Sequence, residues 1–331
     1  MTDFIKKLES SENLSFGEST SLFLNIMDGK YDEISIVKIL EALSKKGETK
    51  DELAGGIFVM RSKAAIVKAP IGTIDTCGTG GDGQNSLNIS TAAAIVLASM
   101  GVNVAKHGNR AASSNCGSAD VLEALKIKIN LGAEEAEESI KKVSFAFMFA
   151  PYYHQAMKYV AGARKKIGKK TIFNLIGPLS SPAQVKKQVV GVFNEKWMMP
   201  FAEALKENNV ENAFIVHSED GMDEISPFAK TKIVELNNGS IKSFIINPTD
   251  LNITNKNKQN LRGKNAEYNA QKIIDIYKSE NNEFADSVAL NTAAGLIVSN
   301  QEKDFKKAYE SSKQHLKSGK VFEHLQKIKA I

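Results

Sequence analysis

At 331 residues the chain has room for one or two domains with a full core. Its 42% apolar and 24% charged composition is that of an ordinary globular protein, and a net charge of +5 suits anionic small molecules while falling short of a case for nucleic acid. No run of about 18 apolar residues is present to span a membrane, the N-terminus MTDFIKKLESSE is polar and mixed in charge, unlike a secretory leader, and two cysteines, Cys77 and Cys116, make no disulfide framework, so a cytoplasmic protein is expected.

Residues 1–66 carry helical periodicity and no strand pattern. Phe23, Ile26 and Met27 make one apolar stripe, and Ile36, Ile39, Leu40 and Leu43 make another. The sequence Ala69-Pro70-Ile71-Gly72 breaks this segment. A strand-like IGTIDTC follows, then a glycine-rich loop, a helix over 88–100 and a short strand over 102–105 that enters a second loop. Ser118 and Asp120 suit a helix start that VLEAL continues. A charge-rich helix is expected over 134–143, and the all-apolar stretch 145–150 reads as a strand buried on both faces. Pro151 interrupts, a helix is expected over 154–166, and a second short helix over 171–175 is ended by Gly177-Pro178. Strand and helix then alternate: strand 189–193, helix 196–207, strand 213–217, and further strands at 232–236 and 241–246. Helices over 266–277, 284–298 and 304–317 complete the chain. Such alternation implies an α/β fold with a mostly parallel sheet covered by helices on both faces. No internal repeat is visible, and NITNKNKQN at 252–260 reads as a polar loop.

Two tracts carry the chemistry. Residues 78–91 read GTGGDGQNSLNIST and residues 106–120 read KHGNRAASSNCGSAD. Each follows a strand-like run and leads into a helical pattern, which makes a strand, an open loop and a helix N-terminus. Glycine lets the backbone turn through positive φ and approach a ligand closely. The free N–H groups of a helix start favour an anion. Gly78, Gly80, Gly81 and Gly83 crowd the first loop ahead of Ser86, Asn88, Ser90 and Thr91, whereas a plain turn needs about two to five residues. Lys106 and Arg110 in the second loop add positive charge, and the two loops together imply a ligand with more than one phosphate. No GK[ST] follows, so neither tract is a P-loop. Gly78, Gly80 and Gly83 do fit G-x-G-x-x-G, but the helix starts late and no acidic residue stands about twenty positions on, unlike a dinucleotide fingerprint.

GTGGDG…NIST, KHGNRAASS…GSADVLEAL and DGMDEIS, in this order and spacing, resemble the anthranilate phosphoribosyltransferases of tryptophan biosynthesis, over nearly the whole chain. The resemblance implies a small all-helical domain (residues 1–66 rejoined by 151–186) and a larger α/β domain (67–150 and 187–331), with the active site in the cleft between them. It also implies a homodimer paired through the helical domains, phosphoribosyl diphosphate and anthranilate as substrates, Mg²⁺ as cofactor, and no nucleic-acid or membrane partner.

The same resemblance assigns the site. Gly78, Gly81 and Asp82 would form the diphosphate loop, and Ser86, Asn88, Ile89, Ser90 and Thr91 the phosphate contacts at the following helix start, where Asn88 or Ser90 also suits plain N-capping. Lys106 would meet a phosphate oxygen as a point charge, with Ser114 and Ser118 on the phosphoribosyl side. Gly78, His107 and Asn109 would meet anthranilate. A lone histidine is ordinarily structural, but beside Lys106 and Asn109 in a glycine-bearing loop His107 reads as a site residue. It could accept the amine proton, as diphosphate or water could equally. His154, Met157, Ala161 and Arg164, at offsets 0, 3, 7 and 10, would share one helix face, apolar in the middle and cationic at the end, a fit for an aromatic carboxylate. By itself Arg164 is equally a member of a solvated basic run with Lys165, Lys166, Lys169 and Lys170. The resemblance makes it the carboxylate clamp, with Gly177 and Pro178 closing the pocket. An acidic loop such as EDGMDE at 219–224 is ordinarily just solvated; the resemblance makes Asp223 and Glu224, with Ser90, the Mg²⁺ residues.

Two positions depart from the family, which commonly has Gly at Lys126 and Asn at Ser181. Both cysteines adjoin the loops and read as small buried fillers; the sharper alternative is a disulfide between them that closes the site. The rival functions are another phosphoribosyltransferase or a nucleoside phosphorylase of the same fold, against which KHGN and Arg164 argue, and a non-catalytic nucleic-acid binder, against which the intact acidic pair argues.

Overall fold

A computed structural model describes residues 2–111, 115–254 and 257–331; the expected contact at Ser114 lies outside them. Four helices lead: α1 (Thr2–Glu9), α2 (Phe16–Met27), α3 (Glu33–Lys46) and α4 (Lys50–Ser62). Ser15 and Thr49 start α2 and α4 with capping boxes completed by Glu18 and Glu52. Glu52 is fully buried, yet it bonds the N–H groups of Leu14 and Thr49 and the Lys46 ammonium, so its charge is satisfied.

The strands are β1 (Ile74–Gly78), β2 (Val104–Gly108), β3 (Phe145–Phe149), β4 (Lys187–Gly191), β5 (Asn212–Ser218), β6 (Thr231–Asn237) and β7 (Ser240–Ile246). Between β1 and β2 lies α5 (Ile89–Ser99); α6 (Ser118–Ala124) and α7 (Ala133–Val143) precede β3. Next come α8 (Ala150–Tyr153), α9 (Lys158–Ile167) and α10 (Ile172–Ile176), then β4 and α11 (Met198–Glu207). The chain ends with α12 (Ala266–Tyr277), α13 (Glu283–Val298), α14 (Phe305–Lys317) and α15 (Lys320–Lys329). The strand order is β3-β2-β1-β4-β5-β6-β7. Strands β1 to β5 pair in parallel, and β6 and β7 run antiparallel. The reversal at β6–β7 is a tight hairpin through Asn238 and Gly239, at φ 46° and 83°, the Asn-Gly pattern whose twist matches the strands it joins.

Strand alternation sorts the core into two faces. Ile74, Val104, Val189, Phe214 and Ile233 pack on the side of α5 and α13. Val190, Ala213, Ile215 and Val234 join the cluster formed by α2, α3, α4, α10 and α11. The helical segments thus share a core with that face of the sheet through α11, which packs on α4 as well as on β5 and β6.

Three local expectations are corrected. The helix expected over 154–166 is broken: His154 sits at φ −110° and ψ 60° between α8 and a 3-10 turn at Gln155–Met157, and α9 starts only at Lys158. Ala161 is exposed while Val160 and Ala163 are buried, so the proposed face of His154, Met157, Ala161 and Arg164 does not exist as one stripe. Helix α15 has no counterpart among the expected elements, although Val321, Leu325 and Ile328 have helical spacing and are buried. Cys77 and Cys116 are buried and free, and they belong to clusters on opposite faces of the sheet, so the disulfide that would close the site is excluded by the fold.

Lys126 has a clear physical reading. It follows the end of α6 at φ 62°, and the bonds Lys126 N–H to Glu123 O (2.8 Å) and Ile127 N–H to Leu122 O (2.9 Å) make a Schellman ending. That left-handed position favours glycine. Lys126→Gly should therefore stabilise the protein by about 0.5–1 kcal/mol, after allowing for the greater freedom glycine gives the unfolded chain. A raised urea midpoint with unchanged slope is the expected reading; a lowered midpoint would show that the lysine side chain contributes more than its backbone costs.

Candidate active site

The carboxyl ends of the parallel strands open on one edge, and the strand order reverses between β1 and β4, where ligands of open α/β sheets bind. The first glycine loop leaves β1 here. Gly80, Gly81 and Gly83 take φ of 59°, 69° and 76°. Closure of this corner depends on the absence of side chains: a Cβ at Gly78 would lie 2.9 Å from Asp223 Oδ2, and one at Gly191, the end of β4, would strike the Asp223 carbonyl. The loop after β5 therefore lies directly on the ends of β1 and β4.

Hydrogen bonds tie these loops together. The Gly80 N–H donates to Asp223 Oδ2 (3.0 Å), the Asp223 N–H to Asp82 Oδ2 (3.4 Å), and the Ser90 N–H to Glu224 Oε1 (3.2 Å). Glu224 thus serves the start of α5. Asn88 does not cap that helix with its side chain. Its amide instead donates to Cys116 O (3.1 Å) and accepts from Asn269 Nδ2 (2.9 Å), joining the two loops to α12. Ile89 is in the core with its N–H on Leu87 O (2.7 Å), and Thr91 is buried beside it. Ser86 pairs with Arg262 in an isolated antiparallel bridge. A surface cavity of about 610 Å³ opens next to it, lined by Asn115 of the second loop and residues 262–265.

Consecutive residues of β2 face opposite sides. Lys106, 2% exposed, points toward α5, where its ammonium donates to Thr76 O and to Ser90 Oγ (3.4 Å). Burial pushes its pKa down, while Asp75, Cys77 and Glu224 pull it up. His107 points to the helical side. Its ring centroid lies 5.0 Å from that of His154, and Nε2 of each ring is buried without a protein partner. Burial pushes both imidazoles down, His154 to about 4. The His107 N–H is held by Asp75 Oδ1 (3.1 Å).

Asn109 folds the second loop: Oδ1 accepts from the Arg110 N–H (2.7 Å), and its carbonyl accepts from the Ala119 N–H and Ser118 Oγ (both 3.2 Å). Arg110 does not face the crevice as a phosphate cation. It is bidentate on Glu123 (2.5 and 2.9 Å) and also holds Asp120 (2.9 Å), pinning the loop to α6. Arg164 Nη2 is 3.4 Å from Asn174 Oδ1, its guanidinium carbon is 5.9 Å from the Phe173 ring centroid, and no acidic partner holds it among the described residues. Gly177 and Pro178 lie in a 3-10 turn whose Pro178 carbonyl accepts from Gln188 Nε2 (2.7 Å) and Cys77 Sγ (3.2 Å).

Several site-building residues escaped the sequence reading. Asp75 is wholly buried in β1, its carboxyl pushed up to about 7 by burial against the pull of Lys106. Arg61 from α4 donates to Leu179 O (2.9 Å) and faces Asp75 electrostatically. Together with Gln188 and Ser181, whose hydroxyl is buried without a partner, they make a polar seam under the glycine-proline turn. A polar residue inside an apolar strand was the available signal for Asp75 and Gln188; which partners they meet is a matter of tertiary structure.

The acidic cluster is only partly offset by positive charge, from Lys106 near Glu224 and Lys170 near Asp82 and Asp223. Asp223 is pushed up to about 7 by burial and by Asp82 beside it, and Glu224 is raised by burial and by Asp223. Among the described residues no three His, Cys, Asp or Glu side chains form a closed metal cage. Half-buried carboxylates beside a Ser90 hydroxyl fit a hard cation that keeps waters and shares its shell with substrate phosphates, as Mg²⁺ does. Both thiols are pushed up by burial, Cys116 to about 11, so neither is a thiolate at neutral pH.

Comparison with known proteins gives a consistent picture. The helical bundle domain of a glycosyl transferase family matches residues 2–64, and the a/b domain of a glycosyl transferase family matches residues 71–322. The chain is 53% identical, over 100% of both chains, to an anthranilate phosphoribosyltransferase of Pelagibacter ubique. It is 44% identical to one of Methanosarcina acetivorans, covering 97% of this chain and 87% of that one. The solved anthranilate phosphoribosyltransferase of Thermus thermophilus superposes with a TM-score of 0.93 at 35% identity, over 99% and 98% of the two chains. That of Saccharomyces cerevisiae in complex with PRPP and Mg superposes at 0.89 and 25% identity, over 98% and 95%.

The buried imidazoles generate a pH prediction. His154 titrates near 4 when folded and near about 6.5 when unfolded. As pH falls the unfolded chain takes up the proton first. The stability from neutral His154 is therefore full above about pH 6.5 and is lost as pH falls toward 4, by about 3 kcal/mol, with His107 acting in the same direction. Urea melts at pH 7 and 4.5 should show a smaller loss in His154→Asn than in the parent. Equal losses would mean that His154 is not held neutral in the fold.

Proposed function

The chain belongs to the family of anthranilate phosphoribosyltransferases, and from that premise we propose how its own residues divide the work. It transfers the phosphoribosyl group of 5-phosphoribosyl 1-diphosphate to the amine of anthranilate, giving N-(5-phosphoribosyl)anthranilate and diphosphate, a glycosyl transfer of tryptophan biosynthesis. The bond formed joins the amine nitrogen to the anomeric carbon, and the bond broken joins that carbon to diphosphate. Positive charge grows on the ribose and negative charge on the leaving group, so the site has to hold diphosphate and orient the amine more than supply a strong base.

The donor lies on the α5 side. Gly78, Gly81 and Asp82 of the first loop, with Ser86, Asn88, Ser90 and Thr91, receive the diphosphate and phosphate, Lys106 gives a point charge, and Ser118 serves the phosphoribosyl side together with Ser114. Asp223, Glu224 and Ser90 would hold Mg²⁺, which would offset the negative charge of the leaving group. The only partly offset charge around Asp82, Asp223 and Glu224 supports this. The acceptor lies on the helical side, against His107, Asn109, His154, Gly177 and Pro178. His107 is held neutral at a lowered proton affinity, so the amine proton passes to it, to diphosphate or to water as the new bond forms.

The observation that carries the acceptor assignment is Arg164. A guanidinium that is half-buried against Phe173 with no acidic partner among the described residues is available for a carboxylate. A pyrimidine acceptor would need no such clamp.

Residues 1–66 and 151–186 form the helical domain, and residues 67–150 and 187–331 the α/β domain. Two copies pair through the helical domain, which exposes Ile34, Phe58 and Tyr159 at 62%, 49% and 43%. The setting we propose is cytoplasmic; among the described residues no helix is long and apolar enough to cross a membrane.

Mixing the protein with phosphoribosyl diphosphate, Mg²⁺ and anthranilate should give magnesium-dependent loss of anthranilate fluorescence, with diphosphate released in equal amount. No loss from folded protein that still binds the donor would redirect the search to other acceptors. Arg164→Ala should raise the anthranilate KM about 10- to 100-fold, the worth of a charged bidentate pair, and leave the donor KM close to its original value. A large change confined to the donor KM would overturn the clamp.

A further inference from the structure

Lys165, Lys166, Lys169 and Lys170 form one basic run with Arg164 in the sequence, yet the fold sets Lys170 apart. It stands between α9 and α10 and reaches across the cleft. Its ammonium donates to the carbonyl of Gly81 in the first glycine loop (3.0 Å) and lies 3.6 Å from the ring centroid of Phe193, just after β4. Asp223 and Asp82 are near enough to stabilise its charge against desolvation. One side of the ammonium is thus fixed by a carbonyl and one by an aromatic face. The loop carbonyl takes one of its three donors, and the remaining charge is felt by Asp223 and Asp82.

That position matters because the crevice is poor in cations. Lys106 gives its charge from the α5 side, where it is buried on Thr76 and Ser90, and Arg110 is committed to Asp120 and Glu123, so a second cation for the donor has to come from the opposite wall. A diphosphate received by the N–H groups of loop 78–83 would meet Lys170 from above, carried on the opposite wall. We propose that Lys170 is a further donor-binding residue, whose ammonium contacts the diphosphate at the first glycine loop and ties the helical wall to the α/β wall across the donor. The inference rests on the reaction read above and adds to it a residue that neither the loop motifs nor the acidic pair contain.

The test measures donor binding directly by calorimetry in Mg²⁺ without anthranilate, alongside steady-state rates, on the full-length protein. Lys170→Met should weaken phosphoribosyl diphosphate binding and raise its KM about tenfold, the worth of one charge-assisted bond. The anthranilate KM and the melting temperature should stay close to those of the parent, since Lys170 is exposed. Lys170→Arg should recover most of the affinity, because the charge is kept. Added salt should weaken the parent more than the methionine variant. Unchanged donor affinity in Lys170→Met, with the parent binding and turning over normally, would overturn the proposal and leave the reaction intact. A lowered Mg²⁺ requirement with donor affinity intact would also overturn it, by showing that the ammonium only stands where a cation belongs. A parent that fails to bind the donor at all would remove the premise itself.

Discussion

The contact on which the site depends is the packing of Asp223 against the glycine ends of β1 and β4. A Cβ at Gly78 or Gly191 would collide with it, so the strands must end bare for the loop after β5 to close down. Once closed, that loop presents two carboxylates to the first glycine loop and to the start of α5 through the Gly80 and Ser90 N–H groups. Bonds to N–H groups stabilise the ionised form, but burial and mutual repulsion oppose it more strongly, and Asp223 and Glu224 both end up raised. The crevice is therefore a place where negative charge has been concentrated at a cost. The carboxylates that brace the loops are the same ones proposed to hold the metal.

A second constraint is the alternation of β2. Because neighbouring strand residues point to opposite faces, Lys106 and His107 serve different walls of one crevice although they are adjacent in the chain. Lys106 looks to α5 and the phosphate loops; His107 looks to His154 and the helical wall. Nucleophile and leaving group must approach the anomeric carbon from different directions, and a strand end that divides a cation from a neutral imidazole provides two such directions in consecutive positions. Burial acts against the charged form of both. It pushes Lys106 down against the pull of Asp75, Cys77 and Glu224, and it holds His107 neutral by lowering its affinity for a proton.

Much of this was legible in the sequence because it is local. Glycines at 78, 80, 81 and 83 specify an open loop whatever lies around them, and the strand-loop-helix order put both loops on one sheet edge. The helical start, the alternation of strand and helix and the acidic turn at 219–224 were readable for the same reason. What escaped is non-local. Asn88 is a natural cap by type, but Asn269, brought in by α12, takes its carbonyl oxygen instead. Arg110 looks like a phosphate residue until α6 folds Glu123 and Asp120 onto it. The helical stripe through His154 failed because periodicity assumes one unbroken helix, and the backbone at His154 leaves it. Lys126, a departure from its family, reads from the sequence as an altered helix end, and the structure places it there; the left-handed turn that makes the departure costly is visible only in the fold.

The two walls are joined unevenly, and this shapes how the cleft behaves. Near α11 the contact is apolar: Ile57, Met60, Trp197, Phe201 and Leu205 share one cluster with α2 and α4, and parting such surfaces exposes about 25 cal/mol for every Å² of apolar area. Near the glycine-proline turn the contact is polar. Arg61, Asp75, Gln188 and Ser181 bring charges and amides together, and each keeps a buried atom without a protein partner. The apolar end is held by buried area, whereas the polar end sets the Arg61 guanidinium against a buried Asp75 carboxyl pushed up to about 7, so the two ends answer to different conditions, the second of them to pH.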